Sequence, residues 1–197
     1  MSEPLTKRER THQRMLVAAG ESFRSSGFSG IGVDGIAKAA GVTSGALYAH
    51  FGSKKAAFHE ALKAGLDEVI AAIPVYQSEH GANWVVAFSD YYLGRAHRED
   101  LAGGCAMASL TSEIVRAEPD LQAEYEGKMT KIAELICRGL KEGPGTDRIA
   151  RAWAMLGTLI GGLNIVRAME SNDAAENIAK AIKIAAITAA GEVSSPN

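Results

Sequence analysis

Apolar residues in this chain recur at helical spacing, and no long alternating run marks a strand. Val33, Ile36, Ala37 and Ala40 fall at i, i+3, i+4 and i+7, which makes one stripe on a short helix. Gly41 follows as a helix stop, Val42 is placed to plug the corner, and Thr43 to cap a second helix through its hydroxyl. On that second helix Leu47 and Phe51 face inward, leaving Ser44, Tyr48 and His50 outward. Ser53 then caps a third helix that carries Lys54 and Lys55 in its first turn. Two short helices joined by a tight glycine-containing turn form a helix-turn-helix, whose second helix fits the major groove of DNA.

The same reading extends in both directions. Thr6 and Glu9 have capping-box spacing at the start of a first helix, whose inward face is Leu16, Ala19 and Phe23 and which Gly27 stops. Its opening turns carry Lys7, Arg8, Arg10 and Arg14, placed to lie near a phosphate backbone, and 28–32 reads as a loop. Downstream, a long helix is expected from Lys54 to Ile73, ended by Pro74 and followed by a polar connector over 74–82. Trp84, Phe88, Tyr91 and Tyr92 follow at helical spacing, and HREDLAGG breaks the chain. GCAMASLTSEIVRA begins another helix, Pro119 suits the first turn of the next, expected over Asp120–Glu142, and Gly143-Pro144-Gly145 reads as a loop.

Two helices remain, expected over Thr146–Met169 and Asp173–Ala190. The first carries Ala152, Met155, Leu156, Leu159, Ile160, Leu163 and Val166, apolar around more than one side; the second repeats Ile178, Ala181, Ile182 and Ala185. Such helices need burial on two faces. The fold class is therefore all-α.

Composition narrows the classes. A content of 47% hydrophobic and 22% charged residues in 197 is that of a globular protein. The net charge of -2 is uninformative, but its distribution is not. Residues 1–60 hold eight Lys/Arg against five Asp/Glu, or +3, while the remainder holds thirteen against eighteen, or -5. A basic front suits phosphate. Cys105 and Cys137 make no disulfide framework, and the charged N-terminus is not a signal peptide. The uncharged stretch from Ala152 to Val166 is shorter than the ~20 residues of a bilayer span. A cytoplasmic protein without a membrane partner is expected. With no metal-ligand cluster, P-loop or dinucleotide fingerprint in the sequence, no metal, cofactor or catalytic residue is expected, and the chain reads as a non-enzyme.

The run IAKAAGVTSGALYAHFGSKKAAF resembles the DNA-binding signature of the TetR/AcrR family of bacterial transcriptional regulators, and VAAGESFRSSGF resembles that family's first helix, so residues 6–60 are covered. The resemblance implies a three-helix DNA-binding head over 1–53 and a helical ligand-binding and dimerisation body over 54–197. Ser44 would then read a base edge, Gly45 would let the helix sit deep in the groove, and Thr43, Tyr48, His50 and Lys54 would hold phosphates. Where the family pattern usually has a hydroxyl residue that caps the next helix, this chain has Gly32. The last two helices would form a four-helix homodimer interface, presenting two heads to a pseudo-palindromic double-stranded operator.

Repression released by a small-molecule inducer is the family's commoner mode, and Trp84, Phe88, Tyr91, Tyr92, Cys105, Met107, Trp153 and Met155 are the candidate pocket residues. Cys105, behind Gly103-Gly104 at a predicted helix start, is also a candidate sensor: its segment is similar to one in family members that sense electrophiles or oxidants. A Cys-dependent hydrolase with His97 as base, and a module whose last helices bind another protein, are the readings from other classes.

Overall fold

Side-chain caps set the helix starts that the sequence marks. In the computed structural model, which describes residues 5–141 and 145–191, Glu9 N–H donates to Thr6 Oγ1 at 3.2 Å while Thr6 N–H donates to the Glu9 carboxylate at 2.7 Å. This reciprocal pair opens α1, Lys7–Gly30. Thr43 caps α3 by accepting from Ala46 N–H at 3.2 Å, and Ser53 caps α4 by accepting from Ala56 N–H at 3.0 Å. The element order is α1, α2 (Val33–Ala39), α3 (Ser44–Phe51), α4 (Lys54–His80), α5 (Trp84–Tyr92), α6 (Arg95–Glu99), α7 (Ala106–Ile114), α8 (Pro119–Gly139), α9 (Gly145–Arg167) and α10 (Asn172–Ala189). No strand occurs among the described residues.

Several expectations change. Pro74 does not end α4; it lies inside it, and the expected connector over 74–82 is helical to His80. Proline deletes one backbone hydrogen bond, a cost of about 3 kcal/mol. Packing on both sides offsets it: Ile73 is fully buried, and Gln77 Nε2 donates to Leu135 O at 2.8 Å. Gly27 breaks α1 at φ 71°, as its position suggests, but one more helical turn follows where a loop over 28–32 is expected. Within HREDLAGG, the first residues belong to α6 and the break begins at Asp100. The α8 helix ends at Gly139, short of Glu142, and the expected Gly143-Pro144 loop lies outside the described residues.

The chain divides into two compact units, residues 1–65 with 101–122 and residues 66–100 with 123–197. In the first, α1 packs on α2 and α7, and α2 on α3, around Met15, Ala19, Phe23, Ile36, Leu47 and Met107, all fully buried. Met15, not Leu16, is the deepest residue at its turn of α1. In the second unit α9 lies against α10, and α5 touches both. The apolar ring of α9 splits as two-sided burial requires: Ala152, Met155, Leu156, Leu159, Leu163 and Val166 are inside, whereas Trp153 and Ile165 are 41% and 52% exposed.

On α10 the buried line is Ala179, Ala186 and Ile187, and the expected stripe faces partly outward: Ala181 and Ala185 are exposed, Ile178 and Ile182 half-buried. By length and composition alone, Asp147–Arg167 of α9 could cross a membrane; six of its apolar side chains are instead core.

Candidate nucleic-acid interface

The turn between α2 and α3 is locked by backbone. Gly41 takes φ 64°, its N–H donates to Lys38 O at 3.1 Å, and Val42 N–H reaches back to Ala37 O at 2.9 Å. These two bonds satisfy two of the last carbonyls of α2 and set the angle at which α3 leaves. Gly32 precedes α2 without a side-chain cap, as the missing hydroxyl implies. Leu47 and Phe51 pin α3 to the unit's core at 0% and 6% exposure. Gly52, at φ 76°, ends α3 with its N–H on Tyr48 O at 2.8 Å.

The outward face follows from that anchoring. Tyr48 is 50% exposed. A Cβ added to Gly45 would meet only Thr43 Oγ1, at 3.9 Å, so packing within the chain does not demand a glycine there. Ser44 is not unoccupied: its hydroxyl donates to the carboxylate of Asp34 on α2. Asp34, which no spacing along α3 marks, puts a negative charge on this face. His50 is half-buried, its ring 5.6 Å from that of His12 on α1. The His12 ring also packs 4.9 Å from Phe51, and its Nε2 lies 3.0 Å from Glu60 on α4. Nothing in the local sequence marked His12 as a neighbour of α3; only the packing of α1 brings it there.

The paired lysines have separate fates. Lys54 Nζ rests 4.5 Å over the ring of Phe28, whereas Lys55 Nζ pairs with Glu118 at 2.5 Å. Lys55 and the shared hydrogen bond of Thr6 each hold a carboxyl, Glu118 and Glu9 respectively, below the usual carboxylate range. Lys7, Arg8, Arg10 and Arg14 remain exposed along the start of α1. The groups gathered around the outward side of α3 are thus cations, hydroxyls and imidazoles, with the acids Asp34 and Glu60 beside them.

The candidate pocket residues divide between the units. Met107 is fully buried and Cys105 half-buried at the N-cap of α7, both in the first unit. The other six are in the second. There Trp84, Phe88 and Tyr92 are buried, and Tyr91 is 53% exposed. Trp84 Nε1 donates to Gly139 O at 2.8 Å, and the Tyr76 ring lies 5.4 Å from that of Phe88 and 5.7 Å from that of Tyr91. His97 lies within hydrogen-bond distance of Tyr92 O, at 2.7 Å from Nδ1, and stacks on Tyr91 at 5.1 Å.

Burial pushes the His97 pKa below its ordinary value, against the Tyr92 hydrogen bond and together with the Arg167 charge. Arg167 donates to the carbonyls of His97, Arg98 and Asp100 and so closes the end of α6. Met155 is core and Trp153 lies on the outward side of α9. Tyr76, missed in sequence because it falls in the expected connector, joins the four residues of α5 into one aromatic cluster. No metal-holding group of His, Cys, Asp or Glu is found among the described residues.

Residues 15–61 match the sequence model of the bacterial regulatory proteins of the tetR family. Among solved structures, the chain is similar to a TetR-family transcriptional regulator from Cytophaga hutchinsonii, with 19% identity over 98% of this chain and 100% of that one and a TM-score of 0.75. A TetR transcriptional regulator from Chloroflexus aurantiacus J-10-FL gives 24% identity, 93% and 97% coverage and a TM-score of 0.75. The reduced form of NemR from E. coli gives 17%, 89%, 97% and 0.72. No curated protein sequence matches significantly.

Proposed function

From an N-terminal segment that belongs to the tetR family of bacterial regulatory proteins, on a fold shared with TetR-family regulators, we propose that this chain is a cytoplasmic, ligand-responsive repressor acting as a homodimer. DNA binding by a helix-turn-helix is what the family of residues 15–61 does; the sign of regulation, the dimer and the inducer are our reading. The observation that carries it is the α2–α3 pair, whose turn is fixed by backbone bonds and whose outer side presents Thr43, Ser44, Gly45, Tyr48, His50 and Lys54. The bare Cα of Gly45 supports close approach to a groove, since nothing inside the protein needs it bare. Thr43, Tyr48 and Lys54 supply phosphate contacts, and Ser44 turns from Asp34 to a base edge.

We assign DNA binding to residues 1–53 and ligand binding and dimerisation to 54–197. A single head is a small footprint, so two are required, in successive major grooves about 34–36 Å apart. The exposed apolar side of α9 and α10, with Trp153, Ile165, Ile184 and Ala185, supports a twofold contact between copies. An inducer in the second unit acts only as far as it binds two head separations with different affinity.

The experiment is selection of genomic fragments on the purified protein at near-physiological salt. A small enriched set sharing a palindrome is the expected result. A flat profile that weakens steeply with salt would mean phosphate attraction alone and defeat the proposal. A second reading, in which Cys105 senses electrophiles, is favoured by its half-exposed N-cap position on α7. Cys105→Ser should then bind DNA normally and stop responding to thiol-reactive compounds; a mutant that still responds removes Cys105 from the mechanism.

A further inference from the structure

A cleft of about 350 Å³ lies wholly within the first unit, between the end of α1, the start of α4 and the corner joining α7 to α8. Its apolar wall is Phe28, Phe58, Ala117 and Leu121, with Phe58 and Leu121 buried and the Phe28 and Phe58 rings edge to face at 5.3 Å. Its polar wall has two acids, one ion-paired and one hydrogen-bonded to backbone. Glu118 is paired with Lys55 at 2.5 Å, and Glu113 accepts from Phe28 N–H at 3.3 Å. Two groups are left over. The Arg116 guanidinium makes no ion pair among the described residues, and His59 Nε2 is shielded from solvent with no hydrogen-bond partner.

The volume lies within the range of small-molecule sites, which combine an apolar wall with a few polar groups. An aromatic ring can extend the Phe28–Phe58 pair in an edge-to-face arrangement. The unpaired cation selects an anion, and a guanidinium matches a carboxylate through two parallel hydrogen bonds. The polar wall adds the imidazole of His59 as packing surface, its Nε2 turned away from the open cleft.

We infer that this cleft is a binding site for a small aromatic carboxylate, its ring against Phe28 and Phe58 and its carboxylate on Arg116. The site goes beyond the inducer reading above, which places a ligand in the second unit. Its occupant would share Phe28 with Lys54, whose ammonium lies over that ring.

The test is calorimetric titration of the full chain with benzoate, benzamide and benzylamine at equal ionic strength, with the His59 imidazole resonances followed in parallel. Benzoate should bind at least tenfold more tightly than either of the others and move the His59 signals. Arg116→Gln, at an exposed position, should weaken benzoate at least tenfold, and so should Ala117→Leu, which fills the cleft. Equal binding of benzamide, preference for benzylamine, benzoate binding that both variants leave unchanged, or no binding at all would overturn the assignment. No step uses DNA, so failure of the regulator reading would leave this result untouched.

Discussion

The outer side of α3 and the outer side of the α9–α10 pair are both left exposed by well-packed units, yet they are built from opposite materials. The first presents Ser44, Gly45, Tyr48 and His50, beside the exposed cations at the start of α1. The second presents Trp153, Gly157, Gly161, Ile165, Ala181, Ile184 and Ala185. A polar, cationic surface stays hydrated alone and suits a polyanion, whose condensed counterions it releases on binding. An apolar surface of small and branched residues is costly in water and suits another apolar surface. The difference teaches how one chain of helices can hold two kinds of interface: the period is the same, and only the residues outside the buried stripe differ.

The sharpest way to break the comparison is to make the second surface resemble the first. Ile184→Glu adds a charge at a site already 52% exposed, so the protomer should stay folded. Dimer mass should be lost in light scattering, and operator affinity should fall by about a hundredfold or more, because the second head no longer binds intramolecularly. Unchanged mass would remove α10 from the interface.

The adjacent glycines of α9 offer an internal contrast. A Cβ on Gly162 would run into Ile182 of α10, whereas one on Gly161 meets nothing within 4 Å. Gly162→Ala should cost about 1–3 kcal/mol through overpacking, read as a lower urea midpoint at fixed protein concentration. Gly161→Ala should leave the protomer at least as stable as before.

On the polar side, Lys54→Ala should weaken binding to all DNA sequences alike and reduce the salt slope by about one. Ser44→Ala should alter sequence preference instead. Asp34→Asn should tighten binding to every sequence, since it removes a negative charge from the face proposed to meet phosphate; weaker binding would mean that Asp34 positions α3.

The smallest expected effect is a pH dependence. The folded His97 pKa lies below the unfolded value of 6.5, so the unfolded state takes up the proton first. Its contribution to stability is whole above pH 6.5 and declines as pH falls from there through the folded pKa. Chemical unfolding between pH 7.5 and 5 should show a slope that His97→Gln flattens.

The helix-turn-helix was legible in sequence because its determinants are local: a stop glycine, two hydroxyl caps and two core residues four apart. Pro74 misled because a proline signal is local while the packing of Ile73 and the hydrogen bond of Gln77 to Leu135 are not. The stripe read on α10 found the apolar residues but not which of them α9 covers, since the helix is apolar over more than half its circumference. His12 beside His50, Asp34 on Ser44 and Glu113 on Phe28 each join positions from different helices, and no spacing along one helix encodes such pairs. The candidate pocket residues are aromatic or sulfur-bearing, and most of them are buried; chemistry of that kind marks core as readily as a ligand site.

The most direct test of the two-surface account is the dependence of affinity on half-site spacing in a selected operator. Inserting about five base pairs, half a helical turn, between the half-sites rotates one to the opposite side of the duplex. A dimer joined through α9 and α10 and reading DNA with α3 should lose about a hundredfold in affinity. Affinity indifferent to the insertion would contradict it, because each head would then be binding alone.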